Sequence, residues 1–214
     1  MLPELNIMPL ISTILAFLIG SIPTGYLLNK YYGHGDIRKV GSGNIGATNV
    51  LRHSGKLLGL LTLLIDIGKG FVALQWLYNS GHNWRIFGET GGEKIMIFGS
   101  LVVLGHIFSP WLKFKGGKGV ATMLGVILFT STVGTTIEVK NIFFVTIFSW
   151  LMIVFFTRYV ALGSVISLTI ATIYSFFYIQ STFLFFVLMT LLITYKHKDN
   201  FERIKNKTED KISF

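Results

Sequence analysis

The sequence predicts an all-α, polytopic membrane protein with seven transmembrane helices, its N-terminus outside and its C-terminus cytoplasmic. Hydrophobic residues make up 51% of the 214 residues, charged residues only 14%, and the mean hydropathy is +0.62. A soluble domain carries about 25% charged residues. Seven apolar segments approach the length that a helix needs to cross a bilayer. Basic residues concentrate in the loops on one predicted side, which sets the orientation.

The low share of charged residues indicates an integral membrane protein, so residues 1–214 are expected to form one membrane domain. Pro23 and Gly25 predict a kink in the first span. The apolar run 160–194 is too long for one helix and is divided near residues 178–181. Because no basic segment or cleavage site precedes it, the first span is expected to be retained. The predicted spans are residues 8–28, 57–78, 94–112, 120–137, 142–157 and the two halves of 160–194.

The charges indicate both topology and ligand type. Of the 19 Lys and Arg residues, 15 fall on the predicted cytoplasmic side, 3 on the other side, and Lys69 lies within a span. Asp66 and Lys69 are three residues apart and are expected to form a structural ion pair, since an unpaired charge in a membrane is costly. The net charge of +9 favours anionic ligands and the negative leaflet over nucleic acid. The absence of cysteine excludes disulfides and thiolate nucleophiles.

A glycine-lysine loop, residues 113–119, separates the third and fourth predicted spans. Glycines let backbone N–H groups approach an anion, and a helix that begins just after them adds its N-terminal amides. This pattern predicts a phosphate site, and the alternative is a positive loop that only fixes topology. It is not a Walker A loop, because glycine follows the last lysine. Its glycines and lysines are Lys113, Lys115, Gly116, Gly117, Lys118 and Gly119.

A second glycine-rich segment, residues 41–52, lies in the predicted first cytoplasmic loop and is called the first loop below. Its glycines spell G-x-G-x-x-G, but a membrane span precedes them instead of a β-strand, which argues against a dinucleotide site. Arg52 offers a bidentate fork for phosphate. The alternative is a glycine-rich turn with capping side chains. The neutral hydrogen-bonding side chains are Ser42, Asn44, Thr48 and Asn49.

The polar tail carries a third motif. If it is helical, His197, Asn200 and Arg203 share one face, and Glu209 follows after a turn. This spacing favours a site, and the alternative is a basic amphipathic helix lying on anionic lipid. His106 is the one histidine of the third predicted span. A single histidine in such a position is more often packed and hydrogen-bonded than catalytic, so a packing role is expected.

Together the three motifs resemble the bacterial acyl-phosphate:glycerol-3-phosphate acyltransferases of the PlsY type. The resemblance rests on residues 42–49 with Arg52, residues 105–122, and His197-x-x-Asn200-x-x-Arg203 with Glu209. It implies transfer of a fatty acyl group from acyl phosphate to the sn-1 hydroxyl of glycerol 3-phosphate. The products are lysophosphatidic acid and phosphate, in the first acylation of phospholipid synthesis.

The resemblance also implies roles at the cytoplasmic face of a bacterial plasma (inner) membrane. His197 and Asn200 would orient the attacking hydroxyl as catalytic residues, with Lys115. No covalent acyl-enzyme, cofactor or metal is implied. The implied partners are acyl phosphate, glycerol 3-phosphate and membrane lipids, with contact to the acyl-phosphate-producing enzyme left open. The implied substrate-binding residues are Ser42, Asn44, Thr48, Asn49, Arg52, Gly116, Gly117, Lys118, Gly119, Arg203 and Glu209.

Two positions depart from the family pattern. Ala161 stands where the family has serine, and Ser164 is a possible replacement for the missing hydroxyl. Ser109-Pro110-Trp111 stands where Phe-Pro is usual. The alternative function is a membrane transporter or binding protein for a phosphorylated solute, although a transporter site is expected near the bilayer midplane and not on one face.

Overall fold

The computed structural model describes residues 8–79 and 91–212. Over these ranges the chain forms ten α-helices and two short 3₁₀-helices, with no β-strand. The predicted all-helical class is therefore confirmed. The α-helices are α1 Met8–Ser21, α2 Thr24–Tyr31, α3 Ala47–Ser54, α4 Lys56–Asn79, α5 Gly91–Ile107, α6 Val120–Val133, α7 Ile137–Thr157, α8 Val160–Tyr178, α9 Gln180–Lys196 and α10 Lys198–Lys205.

Among the described residues, three helices are long and apolar enough to cross a membrane, namely α4, α7 and α8. Helices α1 and α2 count as a fourth span if the pair, bent by 47°, is one broken helix. Three shorter apolar helices occupy Met96–Leu112, Val120–Val133 and Gln180–Lys196. Each predicted apolar segment thus corresponds to a helix.

The break between α1 and α2 lies where the sequence predicts a kink. Proline cannot donate a backbone hydrogen bond, and its ring clashes with the preceding turn, so a helix ends before it. Pro23 directly precedes the first residue of α2. Membrane helices tolerate such breaks where neighbouring groups satisfy the backbone polar atoms.

The chain divides into two compact units, Met1–Val126 and Ile127–Phe214. In the first unit α1 packs against α5, and α4 packs against α1, α2, α3 and α5. A methyl group on Gly20 would collide with the backbone of Val102, and one on Gly105 would collide with the backbone of Phe17. Glycine at both contact points therefore lets α1 and α5 approach closely, as small residues do between membrane helices.

In the second unit α8 packs against both α7 and α9, and α9 contacts α10. Thr172 of α8 and Thr190 of α9 share a hydrogen bond of 2.9 Å. The outer surface of α7 is lined with exposed phenylalanines, among them Phe144 at 65% and Phe156 at 72% exposure. Such a surface suits the acyl chains of a bilayer, which is the environment that the composition predicts.

The predicted boundary between the fourth and fifth spans is wrong. We expected a break at residues 138–141, between two apolar segments, whereas α6 ends at Val133 and α7 begins at Ile137. The Thr136 side chain accepts the N–H of Val139 as an N-cap, and Glu138 lies in the first turn, where the helix dipole favours a negative charge. The segment 79–93, between the second and third predicted spans, lies mostly outside the described residues.

The division near residues 178–181 is confirmed, since α8 ends at Tyr178 and α9 begins at Gln180. The tail is helical as α10, with His197 at its N-terminal boundary. Helix α3, inside the first loop, is an element that hydropathy alone does not predict.

Candidate active site

Asn49 organises the first loop. Its side-chain nitrogen donates to the carbonyl oxygens of Asn44 at 2.9 Å, Val40 at 3.1 Å and Ile37 at 3.3 Å. Its side-chain oxygen accepts the N–H of Ser42 at 3.2 Å. Because Asn49 is buried and its amide is used by the backbone around it, we assign it to shaping the loop.

The other predicted residues of the first loop lie at its surface or half-buried. Ser42 and Arg52 are exposed, and Asn44 and Thr48 are half-buried. Gly41 has a φ of 56°, and a side chain there would collide with Asn49 and a neighbouring histidine ring. Glycine is therefore required at this turn for both its conformation and its lack of volume.

An ion pair that the motif analysis did not include precedes the loop. Arg38 donates to Asp36 from Nε at 2.9 Å and from Nη2 at 2.6 Å. These hydrogen bonds lower the pKa of Asp36 to about 2, so its carboxylate stays ionised at neutral pH. Arg38 also lies over the Tyr26 ring, 4.8 Å from its centroid. The Arg38 guanidinium is thus paired within the fold, whereas the prediction for Arg52 is that it binds a substrate phosphate.

The glycine-lysine loop folds back onto the end of α5. The N–H of Gly116 donates to the carbonyl of Ile107 at 3.1 Å, and the N–H of Gly117 donates to that of His106 at 3.0 Å. These two amides are therefore hydrogen-bonded within the fold. Their glycines allow the close approach, since a methyl group on either would collide with His106.

The end of the loop keeps the properties of an anion site. Helix α6 begins at Val120, directly after Lys118 and Gly119, and the first N–H groups of a helix have no intrahelical partner. Gly119 adopts a φ of 90°, which favours glycine. Lys115 is exposed and Lys118 half-buried. Two cationic side chains and a helix N-terminus thus occur within a few residues of each other.

The 3₁₀-helical turn Pro110–Leu112, which precedes the lysines, is held to the end of α1 by two hydrogen bonds. Ser109 donates from its hydroxyl to the carbonyl of Ser21 at 2.6 Å, and Trp111 donates from Nε1 to the Ser21 hydroxyl at 2.8 Å. The departure from Phe-Pro therefore gives two hydrogen bonds to the end of α1. Nothing in the spacing of the residues predicts this contact.

The predicted pair in α4 is confirmed. Lys69 Nζ lies 2.8 Å from a carboxylate oxygen of Asp66, and both side chains are buried. Lys69 Nζ also lies 2.8 Å from Nδ1 of His106. His106 is thus packed, as the sequence suggests, but it belongs to a polar cluster that joins α4 to the end of α5.

The tail motif places three of its four residues in one hydrogen-bonded group. Glu209 accepts from Nδ2 of Asn200 at 2.7 Å and from Nε of Arg203 at 2.6 Å. A turn after α10 returns the chain, and the N–H of Glu209 donates to the Arg203 carbonyl. Farther on, the N–H of Ile212 donates to the Arg158 carbonyl at 2.9 Å. The tail is therefore anchored within the second unit.

His197 lies at the junction of α9 and α10 and is buried. Its Nδ1 is 2.8 Å from the carbonyl oxygen of Ile193. Since a carbonyl can only accept, Nδ1 must carry a proton, and Nε2 of the neutral ring is then the acceptor. The N–H of Asn200 donates to the His197 carbonyl, which fixes the two residues one helical turn apart.

Ser164 does not replace the hydroxyl missing at Ala161 in a simple way. Ser164 is buried in α8, and its hydroxyl donates to the Val160 carbonyl of its own helix at 2.9 Å. Ala161 is also buried. Donation of the Ser164 O–H to a substrate would require this hydrogen bond to be given up, whereas its oxygen can still accept one.

We expect Glu209→Gln to lower stability by roughly 1–3 kcal/mol, because a charged hydrogen bond is lost and Arg203 keeps a half-buried charge without its partner. Thermal unfolding in detergent measures the change. Glu202→Gln is the matched control, since Glu202 is exposed on the same α10. Equal melting temperatures for the two variants would contradict a bracing role for Glu209.

The family described as Glycerol-3-phosphate acyltransferase has a model that matches residues 10–207 of the chain. The glycerol-3-phosphate acyltransferase of Carboxydothermus hydrogenoformans is 39% identical over 207 residues, which cover 96% of this chain and 97% of the relative. That of Ehrlichia canis is 41% identical over 202 residues, which cover 93% and 96%.

Two crystal structures of PlsY, an integral membrane glycerol 3-phosphate acyltransferase, share the fold. The glycerol 3-phosphate form has a TM-score of 0.82 and 33% sequence identity, and the alignment covers 96% of both chains. The lysophosphatidic acid form has a TM-score of 0.78 and 32% identity over the same share.

Fold, motifs and comparisons together define an integral membrane acyltransferase. The chain belongs to the glycerol-3-phosphate acyltransferase family and has the PlsY fold.

Proposed function

We propose that the protein transfers a fatty acyl group from acyl phosphate to the sn-1 hydroxyl of glycerol 3-phosphate. The hydroxyl oxygen attacks the acyl carbonyl carbon, the bond from that carbon to the phosphate oxygen breaks, and phosphate leaves with the electron pair. The products are lysophosphatidic acid and inorganic phosphate. The observation that carries this proposal is the full-length similarity to PlsY structures in glycerol 3-phosphate and lysophosphatidic acid forms.

The residues suit a direct transfer. Acyl phosphate is an activated mixed anhydride, so no covalent enzyme intermediate is needed. A site for this reaction must hold two anionic groups close together and stabilise the charge that develops at the carbonyl. The exposed guanidinium of Arg52 and the lysines beside the N-terminus of α6 supply such charges.

The phosphate-binding roles are assigned as follows. Two loops bind the phosphates of glycerol 3-phosphate and of the acyl donor. The first loop contributes Ser42 and Arg52, and the glycine-lysine loop contributes Lys115 or Lys118. The amides that follow Gly117 act in this binding, because those of Gly116 and Gly117 are bonded to α5. Asn44 and Thr48 line the first loop, and Asn49 acts through the loop's shape.

The hydroxyl-orienting role falls to the tail. His197 and Asn200 orient the attacking hydroxyl, and Glu209 and Arg203 hold Asn200 in place. Two acceptors for the hydroxyl proton remain candidates, namely Nε2 of His197 and a phosphate oxygen of the substrate. The Nδ1–H hydrogen bond to Ile193 supports the first, since it leaves the proton-accepting lone pair on Nε2.

We also propose that all seven apolar helices span a bacterial inner membrane, with the N-terminus outside. The distribution of 15 basic residues on one predicted side and 3 on the other supports this orientation. The three short helices would then cross a locally thinned bilayer or extend into it with flanking residues. The whole chain acts as one acyltransferase domain.

The donor is tested by phosphate release from purified protein. We expect long-chain acyl phosphate to yield phosphate and lysophosphatidic acid only when glycerol 3-phosphate is present. Turnover with acyl-CoA or acyl carrier protein alone would replace the donor in the proposal. Inactivity of folded protein with all three donors, together with solute flux in vesicles, would favour the transporter.

We expect Arg52→Lys to raise the KM for glycerol 3-phosphate or to abolish activity, because lysine cannot form the two-pronged contact that guanidinium makes with phosphate. Steady-state kinetics in the same phosphate-release assay measure the change. Arg38→Lys is the matched control, because Arg38 is engaged by Asp36. Kinetics for Arg52→Lys that match those of the unmodified protein would reject the role.

A further inference from the structure

The Asp66–Lys69–His106 cluster lies beneath the glycine-lysine loop, and the proposed reaction assigns it no role. All three side chains are buried, at 5% exposure or less. Pairing alone explains why Asp66 and Lys69 are tolerated inside a membrane helix. Pairing does not explain why His106, from another helix, contacts Lys69, because Asp66 and Lys69 neutralise each other without the histidine.

The Lys69 ammonium lies within 3 Å of polar atoms from three different parts of the fold. Its Nζ lies 2.8 Å from Asp66, 2.8 Å from Nδ1 of His106 and 2.9 Å from the carbonyl oxygen of Ile22. Ile22 lies in the break between α1 and α2, and its carbonyl oxygen also accepts the backbone N–H of Thr24 at 3.0 Å. One ammonium group therefore connects α4, the α1–α2 break and the end of α5, all within the first unit.

This geometry determines the protonation of His106. An amine is a much stronger base than an imidazole, so the proton between them stays on Lys69. A lysine ammonium can only donate, so Nδ1 of His106 must accept. The neutral ring then carries its proton on Nε2.

The Nε2 side of the ring faces the glycine-lysine loop. A methyl group on Gly117 would collide with Nε2 of His106, which shows how closely the ring lies against this glycine. The same residue also holds the loop through its backbone, because its carbonyl accepts the Gly117 N–H at 3.0 Å. A rotation or a change of tautomer at His106 would therefore change the position of the loop.

We propose that Asp66 and Lys69 are positioning residues for the glycine-lysine loop. They hold His106 as the Nε2–H tautomer against Gly117, and this arrangement sets the loop for phosphate binding. Neither residue touches substrate. The kinetic part of this proposal rests on the function proposed above, whereas the tautomer part does not.

The test uses two matched double variants. Asp66→Leu/Lys69→Met removes both charges and the donor to His106, and Asp66→Leu/Lys69→Gln removes both charges but keeps an N–H donor. Neither leaves a buried charge without its partner, and apolar replacement of a buried ion pair is often neutral for stability. Thr62→Val is the control for a buried polar group of α4, since the Thr62 hydroxyl donates to the carbonyl of Leu58 in its own helix.

Two measurements are made on each full-length protein in detergent. The ¹⁵N–¹H spectrum of ¹⁵N-histidine-labelled protein reports the tautomer of His106, assigned by the signals lost in His106→Gln. Phosphate release reports KM and kcat. We expect the Nε2–H tautomer in the unmodified protein, Thr62→Val and the glutamine variant. In the methionine variant we expect a shift to Nδ1–H or a mixture, and a KM for the phosphate-bearing substrates raised by roughly 10- to 100-fold, with a smaller change in kcat.

An Nδ1–H ring in the unmodified protein would overturn the proposal. The proposal would also be overturned if the methionine variant changed the tautomer but kept its KM. A raised KM with an unchanged tautomer would overturn it as well. If the unmodified protein turns over none of the acyl donors, the proposed function fails separately. The affinity for inorganic phosphate, followed by ³¹P titration of the same variants, then replaces KM in the comparison.

Discussion

Gly116→Ala is expected to lower the rate of acyl transfer by roughly 100-fold while the protein still inserts in the membrane. The added methyl group would collide with the carbonyl oxygen of His106 and lie 2.9 Å from that of Ile107. Both are backbone atoms at the end of α5 and cannot rotate away as a side chain can. The loop must therefore move off α5, and the two hydrogen bonds from Gly116 and Gly117 would break.

The size of the effect follows from two contributions. Overpacking of a tight contact costs roughly 1–3 kcal/mol of stability. A displacement of about 1 Å in a group that positions substrate costs roughly 100-fold in rate. Phosphate release in the presence of acyl phosphate and glycerol 3-phosphate measures the second, and thermal unfolding in detergent measures the first.

Gly68→Ala is the matched control, because a methyl group there meets no atom within 4 Å. Gly68 lies inside α4, where alanine favours the helix by roughly 0.5–1 kcal/mol over glycine. We therefore expect equal or higher stability and full activity for this variant. If Gly116→Ala retained the kinetics of Gly68→Ala, the contact between the loop and α5 would not matter for the reaction.

The helices were predictable from the sequence to the extent that hydropathy and proline determine them. The break at Pro23 depends on the local chemistry of proline, and the division near residues 178–181 follows from the length of the apolar run. The boundary between α6 and α7 was not found, because the apolar pattern puts the break at residues 138–141, whereas the Thr136 cap starts α7 at Ile137. A charge at a helix start is compatible with the helix, whereas an N-cap marks its beginning.

The candidate site was predictable as a set of residues but not as a set of contacts. Spacing groups His197 with Asn200, and the local helix α10 reproduces that grouping. Spacing cannot reveal that the amides of Gly116 and Gly117 bond to α5, since this depends on how the loop folds back. Likewise Asp66 and Lys69 are neighbours at i and i+3, but their third partner, His106, comes from another helix.

His197→Gln is expected to lower kcat by roughly 10²- to 10⁴-fold, the range for removing a general base or acid. Glutamine is of similar size, and its amide N–H can donate to the Ile193 carbonyl as Nδ1 does at 2.8 Å. The fold is therefore expected to survive. What is lost is a ring nitrogen that can both bond to the substrate hydroxyl and take up its proton.

His34→Gln is the matched control, because His34 is exposed in the segment between α2 and α3. Its turnover should equal that of the unmodified protein. Unchanged turnover in His197→Gln would exclude both orientation of the hydroxyl and proton transfer by this residue.

The pH dependence of kcat then separates the two proton acceptors. If His197 takes the proton, its ring must be neutral, so kcat of the unmodified protein falls towards acid pH as the ring becomes protonated. His197→Gln would lose that fall along with most of its rate. If a substrate phosphate oxygen takes the proton, the variant is slower but keeps the pH profile, because the titrating group belongs to the substrate. The tail histidine then acts by orientation alone, which the Nδ1–H bond to Ile193 equally permits.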